Sequence, residues 1–406
     1  MVQATTLPNG LTVLSDPMPG VATVAVGLYA DTGSRLEAAE QNGLAHLFEH
    51  MVFKGAAGRS ARAIAEAIED VGGQLNAWTA RDMTVFHARA LAGDLSLAVE
   101  LIAGLVTAPD FDAGELEKER QVVLQELGEA RDTPDDIVFD HLQAAAFPDQ
   151  PIGRPVLGDE GTLAAIGPDA LHGWRQGQYR GGSLVLAAAG AVEHAALVAL
   201  AQSWLGGLPA GRRPDAAPAT FAPGAAHDCR RSEAAHITLA WPGPGFHDPD
   251  LPAALLFTAA AGGGMSSRLF QELREERGLV YSVFAQHQPY DDCGLMSVYL
   301  AAAPREAGKA RALTEQVLAD TAAGLDQAEL DRARAQLRAG LLMGLEGCQG
   351  RADHAARSWL THGRVMDPAE WLARLDAVSV EAARGAGAAM LGQGQARAIV
   401  GPKRAA

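Results

Sequence analysis

Within the stretch GLAHLFEHMVFKG, residues 43–55, two histidines and a glutamate fall inside five positions: His46, Glu49 and His50. On a helix His46 and His50 lie one turn apart on a shared face, with Glu49 between them in angle. Neutral imidazoles at this spacing can bind one Zn2+ through ring nitrogens. A catalytic zinc takes a third protein ligand and leaves its fourth position to water. The plain alternative is a pair of hydrogen-bonded histidines on a buried helix. A glutamate at the right offset, and a cluster of acids on a second helix, weigh against it. In ELEKERQVVLQELGE, starting at Glu115, the residues Leu116, Val123 and Leu127 form an apolar stripe. Glu119 and Glu126 lie two turns apart on one edge of that stripe, where a carboxylate can reach a metal instead of bulk water. Spacing alone does not choose between them. Glu115, Glu117 and Glu129 read as solvated surface.

The elements that must carry these residues are legible in outline. Leu44, Leu47, Phe48, Met51, Val52 and Phe53 make the first helix apolar nearly all round, as for a buried element, and Gly55 suits its C-terminal cap. MVQATTLPNGLTVLSD reads as strand, turn at Pro8-Asn9-Gly10, and strand. SLVLAAAGAVEHAALVALAQSWLGGL, from Ser183, is cut by Gly190, Glu193 and His194, and reads as a strand followed by a helix and not as a membrane span. The segment 207–227 is rich in proline and glycine, has no apolar periodicity and marks a linker. On either side, alternating apolar strands mix with long amphipathic helices. FDAGELEKERQVVLQEL (111–127) and LDQAELDRARAQLRAGL (325–341) align without gaps, sharing Asp, Glu-Leu, Arg and the last Leu. This points to a duplicated unit. Glu119 falls opposite Ala333 and Glu126 opposite Gly340, so only the first copy holds a complete set of potential ligands.

The composition narrows the functional classes. A chain of 406 residues calls for two or more domains. Hydrophobic content of 48% with 20% charged residues is globular and leaves no room for large-scale disorder. A net charge of −16 argues against a nucleic-acid partner, whose phosphates need a basic face. Cys229, Cys293 and Cys348 are widely spaced and odd in number, which fits a reducing compartment better than a disulfide framework. With no basic, apolar leader at the N-terminus and no spanning segment, the expectation is a cytoplasmic protein that does not enter a membrane.

The order His46-x-x-Glu49-His50, followed by Glu126 inside ERQVVLQE, resembles the pitrilysin-type zinc peptidases, which include insulin-degrading enzymes and mitochondrial processing peptidases. The similarity runs along nearly the whole chain: LPNGLTVL, GSRLE, HLFEHMVFKG, GGQLNAWTARDMTVF, PDD, PIGRPVLG and SSRLFQELREERGLVYSV. It implies one Zn2+ per chain held by His46, His50 and Glu126, supported from behind by Glu119, with Glu49 as the base that activates the zinc water. It further implies that Arg274 and Tyr281, on a helix N-capped by Ser266 and the strand after it, hold substrate and stabilise the oxyanion. Asn76 and Ala77 match the strand on which such enzymes lay out their peptide substrates. These relatives pair two such units around a chamber. A homodimer is the economical expectation, with each zinc site meeting the partner's Arg274 and Tyr281. A heterodimer with a related subunit is the competitor.

The resulting expectation is a zinc metalloendopeptidase acting on unstructured peptides. The rival is a non-catalytic partner subunit of a heterodimeric peptidase or processing complex. The expected fold is α+β, with two homologous α/β domains, each an antiparallel-rich sheet covered by helices. Residues 1–206 form the metal-binding domain, 207–227 the linker, and 228–406 a duplicate that binds no metal and carries the Arg/Tyr pair.

Overall fold

The computed structural model describes residues 2–405. Its contacts gather the chain into two compact units. One comprises residues up to 127, 154–217 and 343–366; the other comprises residues 128–153, 218–342 and those from 367 onward. No helix or strand lies between Leu205 and Ala225, across most of the Pro/Gly-rich segment.

The first unit is built on six strands in the order Gln3–Thr6, Thr12–Pro17, Leu184–Gly190, Thr23–Ala30, Thr84–Leu91 and Gln74–Thr79. Only the pair Thr12–Pro17 with Leu184–Gly190 is parallel. The turn between the first two strands passes through Gly10, at φ +94°, where an L side chain would be strained. Strand Leu184–Gly190 is buried along its whole length. Its alternating side chains enter two different cores, Leu184, Leu186 and Ala188 on one face and Val185, Ala187 and Ala189 on the other. An unbroken apolar run is therefore what this sequence must show, because both faces of the strand are covered.

On the first face pack the helices Leu44–Val52 (the motif helix), Leu95–Thr107, Ala113–Asp132 (the acidic helix), Pro168–Gln178 and His194–Leu205. The opposite face is closed by one helix, Cys348–His362, whose Ala352, Ala355 and Ala356 sit against Leu14, Tyr29, Val85 and Val185. Small side chains let this helix lie close to the sheet. Polar contacts fix its position: Arg351 pairs with Asp16 through two nitrogens, at 2.6 and 3.1 Å, and the Tyr29 hydroxyl donates to Asp353 Oδ1 at 2.5 Å.

The second unit repeats the plan. Its five strands run in the order Val280–Pro289, Gly294–Ala302, Ala235–Gly243, Ala396–Gly401 and Ala225–Cys229, and only the last pair is parallel. Helices Leu251–Gly262, Ala307–Gly324 and Val380–Leu391 lie among those beside this sheet, and one helix, Pro134–Ala146, covers its other face against Tyr299, Ala398 and Val400. Each sheet thus takes its single covering helix from the other half of the sequence. The fold is mixed α and β with antiparallel-rich sheets, as expected.

One local reading is corrected. Gly55 does not cap the motif helix, which ends at Val52. It opens a two-residue strand paired to Arg59–Ser60, where a Cβ would lie 2.5 Å from Asp110 Oδ2, so a larger residue would have to displace that carboxylate.

The covering helix of the first unit has a measurable role. Uncovering Leu14, Val85 and Val185 forfeits roughly 1.5–3 kcal/mol per side chain, against a total domain stability of about 5–15 kcal/mol. A fragment ending at residue 217 is therefore expected to bind an apolar dye and self-associate. Tethering residues 343–366 to it by a flexible linker should restore a monodisperse species by light scattering.

Candidate metal centre

The motif helix starts after Gly43, which takes the left-handed conformation (φ +94°) and offers no side-chain cap. The cap comes instead from Glu37, whose side chain is almost fully buried. Its Oε1 accepts from Ala45 N at 2.7 Å, and its Oε2 accepts from Gly43 N and Asn42 Nδ2, both at 2.9 Å. The two backbone amides are donors that the first turn of a helix leaves unmatched, and an acceptor there suits the helix dipole. Arg154 donates to the Glu37 carbonyl oxygen at 2.5 Å. Burial raises the Glu37 carboxyl to about 7, opposed by those three donors and by Arg154.

The acidic helix presents its carboxylates as the apolar stripe requires. Leu116, Val123 and Leu127 are buried in the core, and Arg120 ties the helix to the carbonyls of Leu163 and Ile166. Glu119 is buried beside the motif helix, while Glu126 keeps a side-chain exposure of 39%.

Ligand atoms of His46, His50 and Glu126 lie within 4.8 Å of one another. Glu126 Oε2 is 3.6 Å from His50 Nε2 and 3.9 Å from His46 Nε2. Ligands about 2.1 Å from a tetrahedral zinc stand about 3.4 Å apart, so this donor set has the spacing of a zinc site before any contraction. Burial first, and then the neighbouring His50, lowers the His46 imidazole to about 4, which leaves it neutral, as a ligand must be. The outer nitrogen of His50 is engaged: Nδ1 lies 3.1 Å from Glu119 Oε2, while Glu119 Oε1 is 2.7 Å from Lys54 Nζ. A carboxylate behind a ligating imidazole fixes its tautomer and ring orientation. His46 Nδ1 is buried without such a partner among the described residues.

Glu49 stands outside this set. Its Oε2 accepts from the Thr79 hydroxyl at 2.5 Å, which leaves Oε1 free. Burial raises its carboxyl above the usual range, with Thr79 acting in the opposite sense. Thr79 comes from Gln74–Thr79, the last strand of the sheet, paired on one side only with Thr84–Leu91. Along this edge strand Leu75 and Ala77 pack into the core beneath the motif helix. Asn76 is exposed, its Oδ1 accepting from Ala77 N at 2.8 Å, and Trp78 turns to the opposite core, where the Arg357 guanidinium lies 5.0 Å from its ring.

Arg274 and Tyr281 sit at two irregularities of the second unit. Arg274 lies in Phe270–Glu276, a wide π-helical turn, with its guanidinium 4.9 Å from the Phe270 ring. Tyr281 falls where the register slips between Val280 and Ser282, and is 62% exposed. Both features re-aim side chains and recur at functional sites. The sequence suggests an ordinary helix capped by Ser266, but the helical turns start at Arg268; the backbone carbonyl of Ser267 accepts from Gln271 N at 3.0 Å, and its hydroxyl is buried without a partner among the described residues. At the place of Glu119 in the aligned stretch, Ala333 is packed with Leu256, Leu330 and Leu375, so this copy of the helix has an apolar contact where the other has an acid.

Three residues with evident roles were not singled out by sequence reasoning. Glu37 and Lys54 fall inside the quoted stretches GSRLE and HLFEHMVFKG without a visible task. Thr79 could have been found from strand alternation, since it shares a face with Leu75 and Ala77.

Two imidazoles and a carboxylate that converge, with a second acid alongside, form the donor set of a metal-dependent hydrolase. Residues 12–160 match the profile of insulinase (peptidase family M16), and residues 165–337 match that of the peptidase M16 inactive domain. An uncharacterized zinc protease of Mycobacterium tuberculosis (strain ATCC 25618 / H37Rv) is 38% identical over 405 residues, covering 98% of this chain and 92% of the relative. One of Bacillus subtilis (strain 168) is 31% identical, covering 99% and 98%. The fold is shared with the crystal structure of a peptidase M16 inactive domain from Pseudomonas fluorescens, at a TM-score of 0.92 and 22% identity over 99% of this chain and 98% of that one. It is shared too with a protease from Helicobacter pylori, at a TM-score of 0.90 and 19% identity over 99% of each chain. The chain belongs to peptidase family M16.

Glu37 supplies a pH test of how the motif helix is anchored. Its carboxyl is raised in the folded chain, from an ordinary value near 4.5 to about 7. The folded state therefore holds the extra proton, and the stability linked to this group is lost as pH rises from the first value through the second. Relative to Glu37→Gln, wild-type unfolding free energy in chelator should fall by roughly 3 kcal/mol across that window. Denaturant titrations at several pH values check this, and parallel curves for the two proteins would contradict it.

Proposed function

We propose that this chain is a zinc metalloendopeptidase that cleaves unstructured peptides. The observation that carries this reading is the convergence of His46, His50 and Glu126 with Glu49 beside them but outside the ligand set. His46, His50 and Glu126 would hold one Zn2+, and Glu119 orients His50. Bound there, zinc supplies a Lewis acid for the scissile carbonyl and for the attacking water. Glu49 takes the proton from that water at Oε1, the oxygen that Thr79 does not occupy, and passes it to the leaving amine. The raised carboxyl of Glu49 brings its basicity closer to neutral pH, where the proton must be both taken and returned. The free side of Gln74–Thr79, at Asn76 and Ala77, receives the substrate as an added strand. Backbone pairing of this kind makes little demand on peptide sequence.

Arg274 and Tyr281 of a partner subunit complete each site in our reading, the guanidinium and phenol donating to the developing oxyanion. Two chains of this one kind enclose the peptide, and the family's pairing of such units supports a homodimer. Among the described residues no helix is long and apolar enough to cross a membrane, and none of the three cysteines is in a disulfide. We place the enzyme in the cytoplasm.

Two experiments test this reading. Glu49→Gln should retain one zinc per chain by elemental analysis while cleavage of a mixed peptide pool falls by orders of magnitude; full activity in that variant sinks the role of Glu49. Separately, Glu49→Gln mixed with Arg274→Ala, each inactive alone, should recover about a quarter of wild-type activity. Half of randomly formed dimers are mixed, and each mixed dimer has one intact site of two. No recovery after subunit exchange would contradict a site shared between chains.

A further inference from the structure

We propose that Lys54 is a positioning residue of the metal centre, acting through Glu119 on His50; the inference rests on the metal-site reading above. Lys54 lies just past Phe53, the C-terminal cap of the motif helix, and its amide donates to Met51 O at 3.1 Å, which fixes its base against the last helical turn. Its ammonium, on a side chain 31% exposed, is 2.7 Å from Glu119 Oε1. The other oxygen of the same carboxylate faces His50 Nδ1 at 3.1 Å. One carboxylate is thus held by two groups from the same end of the motif helix, the ammonium at one oxygen and the imidazole at the other.

The burial of Glu119 makes the ammonium necessary. Its side chain is 8% exposed, whereas Glu126, on the same helix, is 39% exposed. A carboxylate removed from water without a cation carries a heavy desolvation cost. Without Lys54 the side chain gains by swinging along the helix edge into solvent. His50 then loses the acceptor that holds its ring, and Nε2 is free to turn from Glu126. Removing such an outer partner typically costs 10–100-fold in metal affinity. An ion pair whose cation stays in contact with water contributes little to folding. The two roles therefore separate by measurement, because positioning moves zinc affinity whereas a merely structural ion pair moves the stability of the metal-free chain.

The test uses the full chain and zinc alone, with affinity read by chelator competition. Lys54→Met should weaken zinc binding about 10–100-fold with the melting temperature of the metal-free protein nearly unchanged, and Lys54→Arg should restore most of the affinity. Because Lys54 acts through Glu119, adding Lys54→Met to Glu119→Gln should cost little further affinity. Wild-type affinity in Lys54→Met overturns the proposal. So does a full additive loss in the double variant, or a loss that follows a fall in metal-free melting temperature. A wild-type chain that takes up no zinc overturns the metal-site reading itself and this role with it. A wild-type chain that binds zinc beside a Lys54→Met variant that binds equally well removes only the role of Lys54.

Discussion

The motif helix is gripped at both ends by carboxylates that do not belong to it. Glu37 reaches in from the preceding loop to take the free amides of Gly43 and Ala45. Glu119 reaches across from the acidic helix to His50 near the other end. A nine-residue helix cannot hold two imidazoles at fixed orientation by its own backbone, since short helices are marginal alone. Its apolar residues seat it against the sheet, but apolar packing sets position more firmly than rotation of individual rings. The two acids supply the directional part. Both are buried at the ends of side chains that water would otherwise claim, so each needs the partners it has.

The same reasoning explains why one copy of the aligned stretch carries acids and the other does not. In the acidic helix, Arg120 holds the backbone while Glu119 points at an imidazole. In Gln327–Gly344 no histidine pair lies opposite, and the matching position is filled by Ala333 in an apolar cluster. A buried glutamate there would have nothing to balance it. The second unit invests its irregularities elsewhere, in the wide turn bearing Arg274 and the bulge bearing Tyr281.

Much of this was legible in the sequence because it follows from local periodicity. The motif helix, the acidic helix and its buried stripe, the hairpin through Gly10 and the strand–helix pair after Ser183 depend on spacing that three or four residues reveal. What stayed hidden depends on long-range partners. Glu37 looks like an ordinary loop acid until Gly43 and Ala45 are placed against it. Lys54 looks like a surface lysine until the acidic helix arrives. Gly55 reads as a helix stop, and only the folded chain shows that its neighbour is the Asp110 carboxylate, far along the sequence. The π-helical turn at Phe270–Glu276 leaves no mark in the residue pattern, because an ordinary helix fits the same apolar spacing. Which helix covers which sheet face was equally out of reach, since alanine-rich helices occur throughout the chain.

That last feature bears on how the molecule is made. The strands of the first unit are all synthesised by residue 190, yet the helix Cys348–His362 that closes their outer face is made more than 150 residues later. During that interval Leu14, Tyr29, Val85 and Val185 form an uncovered apolar surface on a nascent chain. Such a surface invites wrong pairing or a folding helper until its own helix arrives. The strand holding Thr79 against Glu49 belongs to that same sheet, so the setting of Glu49 rests on a sheet whose other face is closed by a helix from far along the sequence. The exchange of helices between sequence halves thus ties closure of the first unit's sheet to a segment made about 160 residues after its last strand.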